Sequence, residues 1–186
     1  MTRSRGLGDV YKRQDKNNAY VMLDTDIDTA GEYSMTKVGV DIGTHCGVAW
    51  KSGDEVCVTS IDTSKARMMG GGMRALTLRR ELEKLFEAIG PVTELAFENV
   101  ERHSATYAAQ IYGELRGVLM SVCEDMSIPY RGIGVSTVKK HVTGSGIAKK
   151  DKVRVAVTCQ FPDVRVANDD ESDALAVLIC LLDEVS

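Results

Sequence analysis

The sequence predicts one α/β domain built on a mixed five-stranded sheet, in which an antiparallel meander is followed by parallel strands, with helices packed on the faces. Two observations carry this prediction. Three β-patterned segments follow one another between residues 37 and 61, and from residue 73 onward β-patterned and helical segments alternate. A chain of 186 residues, 44% of them hydrophobic, is long enough for one well-packed domain and too short for two large ones.

The predicted meander begins at Lys37. From there valine and isoleucine at positions 38, 40 and 42 alternate with glycine and Asp41, which is the period of a β-strand. Residues 46–50 (CGVAW) and 55–61 (EVCVTSI) are the next two strands, joined by the turn KSGD. Asp41 is therefore a carboxylate in an apolar strand, on the face that carries only small residues.

Helices and strands alternate in the remainder of the chain. Leucine and other apolar residues at helical spacing predict a helix over 73–89, which Gly90 and Pro91 end. A short β-rich run over 93–99 contains Glu98 near its end. The elements predicted after it are a long helix over 104–126, a fifth strand in 128–135, helices over 136–142 and 149–160, and a final helix after Asp170.

Residues 1–34 have mixed charge and little hydrophobic periodicity, so we interpret them as a disordered leader or an artefact and assign 35–186 to the folded domain. No run approaches the roughly 18 apolar residues of a membrane span, and the basic N-terminus lacks the apolar middle of a signal peptide. We expect a soluble, cytoplasmic protein that does not bind membranes. Five scattered cysteines predict reduced core thiols, and Trp50 and the pair Met68 and Met69 are predicted core or loop anchors.

Four acidic side chains crowd the start of the last predicted helix, in the segment NDDESDALAVL. Helix capping explains such a cluster, because acids in the first turn satisfy free N–H groups and suit the positive end of the helix dipole. A functional explanation is also open. Residues three apart lie on one helix face, so Asp170 and Asp173 can point at a common centre.

Asp41 and Glu98 are two further acids at positions where an ionised carboxylate is unfavourable unless it is paired or binds a metal. For Asp41, a turn-capping role beside Gly43 is the alternative. Four hard oxygen donors at one centre would repel one another without a cation, and Mg²⁺ or Mn²⁺ supplies the missing charge. Two such ions, roughly 3.5–4 Å apart, activate water for phosphodiester cleavage in known nucleases.

Basic residues cluster between positions 139 and 154 around a glycine loop. Six basic residues and one acid give this segment a balance of +5 in a chain whose net charge is −4. A solvated face is the ordinary explanation, but beside a carboxylate site contacts to DNA phosphates explain the cluster better. Glycines in the loop would let backbone N–H groups approach a phosphate. The predicted DNA contacts here are Lys139, Lys140, Lys149, Lys150, Lys152, Gly144 and Gly146.

Five segments taken in order resemble RuvC-type Holliday junction resolvases, which have the ribonuclease H-like nuclease fold. They are VGVDIGTHCGVAW, LAFENVERHS, GELRGVL, VSTVKKHVTGSGIAKKDKV and DDESDALAVLI, and the resemblance covers about residues 37–182. It implies the metal ligands Asp41, Glu98, Asp170 and Asp173, and it leaves Asp169 and Glu171 as capping or solvent-facing acids. It also implies two site lysines, Lys139 and a catalytic Lys150, or Lys149 if the alignment slips by one residue.

The same resemblance implies a homodimer that resolves four-way or related branched DNA by paired nicking, with two Mg²⁺ or Mn²⁺ ions in each active site. The long helix from Ser104 is the candidate dimer interface, because a two-fold dimer buries the same patch on both subunits. The chain departs from the family three residues after Glu98. Bacterial members usually have an aromatic wedge there, whereas this chain has Glu101, which cannot stack on bases. Tyr107 or Arg102 is the candidate replacement, and the departure fits a divergent or phage-derived member.

Two other functions compete with a metal-dependent, structure-selective endonuclease. One is an actin-like nucleotide-binding protein, since VGVDIGT resembles the first phosphate loop of that group, but about 150 ordered residues cannot hold its two domains. The other is a non-catalytic module that binds branched DNA. A histidine metal site is not predicted, because nothing in the spacing of His45, His103 and His141 places them together.

Overall fold

The computed structural model describes residues 35–101 and 105–184. The predicted leader, Arg102, His103 and Ser104 lie outside the described residues. Five strands form one sheet: β1 (Thr36–Asp41), β2 (His45–Ser52), β3 (Glu55–Asp62), β4 (Val92–Asn99) and β5 (Tyr130–Gly134). The helices are a 3-10 helix (Lys65–Met69), α1 (Met73–Ala88), α2 (Thr106–Asp125), α3 (Val135–Thr143), α4 (Lys150–Gln160) and α5 (Asp169–Leu182).

The sheet has the order β3-β2-β1-β4-β5, with β1 at its centre. The pairs β1–β2 and β2–β3 are antiparallel, whereas β1–β4 and β4–β5 are parallel. The predicted fold, a meander followed by parallel strands, is confirmed. Because β1, β3, β4 and β5 run in one direction, their last residues lie at one edge of the sheet, which we call the carboxyl edge.

Each face of the sheet is covered by its own group of helices. On one face Val38 and Val40 pack in a cluster with Leu78 of α1 and Leu115 of α2, all fully buried. On the other face Ala96 of β4 packs with α3, α4 and the almost completely buried α5. The alternation predicted for β1 therefore separates the two layers, since successive side chains of a strand point to opposite faces.

Glycines in β1 and β2 let α5 lie directly on the sheet. A Cβ atom at Gly47 would overlap the carbonyl oxygen of Asp170, and one at Gly39 would lie 2.7 Å from the carbonyl oxygen of Ala174. No residue with a side chain fits at either place without a shift of the backbone. These two glycines consequently fix how closely the start of α5 approaches β1 and β2.

A capping box fixes the first turn of α5. The side chain of Asn168 accepts a hydrogen bond from the N–H of Glu171 (2.9 Å), and the Glu171 carboxylate accepts one from the N–H of Ala167 (2.7 Å). Asn168 also donates to the Ser60 hydroxyl on β3 (3.2 Å). Capping therefore explains Glu171, which is buried, and anchors the helix start above β3.

Some side chains that were predicted to lie in the core or to anchor loops are exposed in the structure. Trp50 is buried as expected, but Met68 and Met69 are 90% and 74% exposed. Cys46, Cys123 and Cys180 are buried thiols, whereas Cys159 is exposed and Cys57 is half-buried. The prediction that all five cysteines belong to the core is therefore wrong for the last two. In the described ranges, no helix combines the length and the apolarity that a membrane crossing requires.

Candidate active site

Asp41 and Glu98 lie side by side at the carboxyl edge. The preceding residues, Val40 and Phe97, are paired in the parallel register of β1 and β4, so the two acids are the next residues on adjacent strands. Glu98 lies two positions after Ala96, which packs under α5, and Asp41 lies two after Gly39, which α5 also touches. Both carboxylates therefore point to the α5 face.

The start of α5 brings two more acids to the same place. Gly47 pairs with Asp41 across β1 and β2, and the backbone of Asp170 lies against Gly47. Asp173 follows three residues later on the same side of the helix, and its side chain is 17% exposed. The sheet register and the glycine contact together set the four predicted ligands around the carboxyl end of β1.

Burial and mutual repulsion make these acids hard to ionise. Burial, followed by the charges of Glu98, Asp173 and Asp170, raises the pKa of Asp41 to about 8. Burial and the charge of Asp173 raise the pKa of Glu98 to about 7. Burial also raises the pKa of Asp173 above its ordinary value. The carboxylates thus repel one another, and the positive charges nearby do not fully neutralise them.

Lys150, the first residue of α4, supplies part of that charge. Its ammonium nitrogen lies 3.6 Å from Asp173 Oδ2 and 3.7 Å from Asp169 Oδ2. Partial burial lowers the pKa of Lys150, but the charges of Asp173, Asp169, Asp41 and Asp170 more than offset this and raise it above its ordinary value. Lys150 is therefore a charged lysine at the rim of the acidic cluster.

Lys139 of α3 acts on the cluster from the β4 side. It is half-buried, and its charge lowers the pKa of Glu98 and of Asp173 against the larger effect of burial. Asp169 has a different environment, since it is exposed and also lies 3.8 Å from Arg154 Nη1. Asp169 belongs to the solvent-facing side of the helix start.

The donor set fits a hard divalent cation in chemistry and in charge. Carboxylate oxygens are the ligands that Mg²⁺ and Mn²⁺ prefer, and a cation at this place would relieve the repulsion that raises the pKa values of Asp41 and Glu98. Across residues 35–101 and 105–184, however, no three acidic, histidine or cysteine side chains are already arranged to hold an ion. The acids share one location, but they do not form a closed cage in this conformation.

The other predicted DNA contacts lie in and around the loop between α3 and α4. Lys140, Lys149 and Lys152 are exposed there. Gly144 ends α3 in the left-handed conformation (φ 77°), and its N–H donates to the Lys140 carbonyl (2.8 Å), so this amide is not available to a phosphate while the cap persists. A Cβ atom on Gly146 would lie 3.1 Å from the Ser136 carbonyl, so this glycine serves packing.

A second basic segment at the carboxyl edge was missed by the sequence analysis. Residues 63–80 contain five basic residues and no acid, and this local charge was the signal that was available. Thr63 anchors the segment, since its N–H and its hydroxyl both donate to the Thr44 carbonyl (2.8 Å each). Thr44 lies three residues after Asp41 in the chain. Arg67 donates from Nη1 to the Tyr107 hydroxyl (3.1 Å) at the start of α2.

Comparison with known proteins agrees with this architecture. The family model described as crossover junction endodeoxyribonuclease RuvC matches residues 38–181. A protein of that name from Nitratidesulfovibrio vulgaris (strain Hildenborough) is 31% identical over 158 residues, which cover 81% of this chain and 92% of the relative. One from Acidiphilium cryptum is 33% identical over 107 residues, covering 58% of this chain and 64% of the relative.

Solved structures show the same fold. RuvC of Thermus thermophilus matches with a TM-score of 0.64 and 20% identity, covering 78% of this chain and 92% of that one. The same protein in complex with a Holliday junction substrate also matches with a TM-score of 0.64, covering 78% and 91%. The family model spans more than half of the chain, and the matched segment contains Asp41, Glu98, Asp170 and Asp173. The chain therefore belongs to the RuvC family of crossover junction endodeoxyribonucleases.

Proposed function

We propose that this chain is a structure-selective endonuclease that resolves Holliday junctions or related branched DNA by paired nicking. One observation carries the proposal: four carboxylates from β1, β4 and α5 meet at the carboxyl edge, where burial and repulsion raise the pKa of Asp41 to about 8. Such a cluster is costly to keep in a fold unless it binds cations. We infer two Mg²⁺ or Mn²⁺ ions in each site, held by Asp41, Glu98, Asp170 and Asp173.

When bound, the ions would activate a water and stabilise the leaving oxygen of the scissile phosphodiester. The residues of this chain prepare that chemistry. On binding the ions, Asp41 and Glu98 would lose the protons that their raised pKa values favour, and Asp170 and Asp173 of α5 would complete the site. Lys150, held beside Asp173 (3.6 Å), lies where it neutralises charge that develops on the phosphate oxygens. Lys149, one residue earlier, is an exposed residue that caps α4.

The basic loop supports DNA as the substrate. Lys139, Lys140, Lys149 and Lys152 extend the positive surface outward from Lys150, and neutralised phosphates supply most of the affinity in such interfaces. We further propose a homodimer formed through α2, so that two sites meet two strands. The outer face of α2 is open: a Cβ atom at Gly113 or Gly117 would touch nothing within 4 Å in the described part of the chain. We also propose a cytoplasmic location, where a DNA-processing enzyme of this family would meet its substrate.

Cleavage of a synthetic four-way junction tests the proposal. With Mg²⁺ we expect symmetric nicks at the branch, and little cutting of linear duplex of the same sequence. Asp41→Asn and a chelator should each abolish nicking, whereas Asp183→Asn, at the far end of α5, should preserve it. Nicking that survives either treatment would remove the metal assignment, and equal cutting of linear duplex would remove the structure selectivity.

A non-catalytic module that binds branched DNA is the second candidate. The observation that favours it is the lack of a preformed cage among the described acids. Tight binding of the junction without nicking in Mg²⁺ or Mn²⁺ would establish this function in place of the first.

A further inference from the structure

The segment between β3 and α1 carries two large apolar side chains on a basic surface. Met68 is 90% exposed and Met69 is 74% exposed, both on the short 3-10 helix. Lys65 and Arg67 belong to the same helix, and residues 63–80 hold no acid. Exposed apolar side chains among cations suit a partner that is anionic outside and apolar inside. Nucleic acid is such a partner, because charged phosphates surround its stacked bases.

The position of the segment relates it to the active site. β3 runs parallel to β1, so the 3-10 helix begins at the carboxyl edge, where Asp41 and Glu98 lie. The basic loop of α3 and α4 is on the α5 face of the sheet, whereas the 3-10 helix leads into α1 on the opposite face. The two positive surfaces therefore flank the acidic cluster, one on each side.

Contacts to both neighbouring elements hold the segment in place. Thr63 donates twice to the Thr44 carbonyl in the β1–β2 turn. Arg67 lies over the ring of Tyr107, 5.9 Å from its centroid, and hydrogen-bonds its hydroxyl. Asp62, the acid that precedes the segment, accepts a hydrogen bond from the Ser64 N–H (2.8 Å) and lies 3.3 Å from His45 Nε2. Met68 and Met69 therefore belong to a segment that hydrogen bonds hold against the rest of the fold.

We propose that Met68 and Met69 insert into the base stack at the branch point of the DNA, while Lys65 and Arg67 hold the flanking phosphates. This inference rests on the proposed function. Methionine is one of the apolar side chains that unstack a base step in this way, and its unbranched, polarizable chain adapts to irregular surfaces. Insertion would open the bases next to the active site and so expose the scissile phosphates to the carboxylates.

Fluorescence of 2-aminopurine at the branch point measures base unstacking directly. In the Asp41→Asn background, which we expect to bind the junction without cutting it, the signal should rise when a four-way junction is bound. Met68→Gln together with Met69→Gln, which keeps size and removes apolarity, should reduce that rise by about threefold or more and weaken binding by up to about tenfold. Met126→Gln changes a partly exposed methionine at the opposite edge and should leave both values unchanged.

Two further measurements separate the outcomes. Lys65→Gln should lower the slope of log affinity against log salt by about one, as expected for one lost phosphate contact. With Asp41 restored and Mg²⁺ present, the double methionine variant should cut an intact junction slowly, and a junction with unpaired bases at the branch nearly as fast as the parent does.

An equal rise in fluorescence with and without the two methionines overturns the inference, and so does a parent that binds without any rise. Weaker binding with an unchanged signal per bound junction also overturns insertion, since the surface would then contact only the DNA backbone. If the parent fails to cut any junction, the proposed function fails, while the fluorescence still decides whether the methionines insert.

Discussion

Two residues at the carboxyl edge, Asp41 and Glu98, are acids at positions where burial normally favours apolar side chains. Asp41 continues a strand whose valines are fully buried, and burial and neighbouring acids raise its pKa to about 8. On the adjacent strand, burial and the charge of Asp173 raise the pKa of Glu98 to about 7. A fold does not gain stability from such groups, so their presence indicates a site that is built to receive positive charge.

In the metal-free protein, Asp41 should make stability depend on pH. Its folded-state pKa lies above the ordinary value of 3.8, so its contribution is present in full below pH 3.8 and is lost as pH rises through about 8. We expect the free energy of unfolding in urea, with a chelator present, to fall between pH 5 and pH 9, and to fall less in Asp41→Asn. Identical pH dependence in both proteins would contradict the pKa assigned to Asp41.

Lys150 should act on the chemical step more than on binding. Lys150→Gln removes the ammonium beside Asp173, and we expect the single-turnover cleavage rate to fall by roughly a hundredfold with little change in junction affinity. Lys84→Gln, which removes an exposed lysine paired with Glu81 on α1, is the matched control and should match the parent. A loss of affinity as large as the loss of rate would instead make Lys150 a binding residue.

At the scale of elements, the position of α5 decides whether the acids meet. The capping box of Asn168 and Glu171 sets where the helix begins, and Gly39 and Gly47 set how close it lies to the sheet. Asp170 and Asp173 are carried by this helix, so a shift of its first turn moves both. Packing and catalysis are therefore coupled through one helix.

Gly47→Ala should test that coupling. The added methyl group overlaps the Asp170 carbonyl, so we expect a loss of about 1–3 kcal/mol in the free energy of unfolding, together with slower cleavage. Gly71→Ala makes the same change where a Cβ atom meets nothing within 4 Å among the described residues, and it should leave stability nearly unchanged. Equal stability of the two variants would show that α5 does not pack on Gly47 as described.

The elements differ in how far the sequence predicts them. The strands of the meander follow from their alternating hydrophobic pattern, and the buried helix α5 follows from the uninterrupted apolar run over 174–182. The exposure of Met68 and Met69 does not, since a single 3-10 turn is too short to have a period and its environment depends on distant contacts such as that of Arg67 with Tyr107. The sequence locates the end of α3 to within one residue, but it does not reveal that the Gly144 N–H is bound to the Lys140 carbonyl there.

At the scale of the whole molecule, paired nicking requires two active sites on one junction. We expect a dimer in sedimentation experiments, and we expect Gly113→Arg together with Gly117→Arg, on the open face of α2, to produce a monomer. On a supercoiled plasmid with an extruded cruciform, the dimer should yield linear DNA and the monomeric variant nicked circles. Linear product from a protein that remains monomeric would exclude α2 as the source of coupled cleavage.

The location of bound Mn²⁺ by anomalous X-ray scattering tests the central claim most directly, because the acids share a place without forming a closed cage. We expect ions that are bound by Asp41 and Glu98 together with Asp170 or Asp173, and that are lost in Asp41→Asn. Crystals of an active protein that bind Mn²⁺ elsewhere, or not at all, at concentrations that support cleavage would contradict the account.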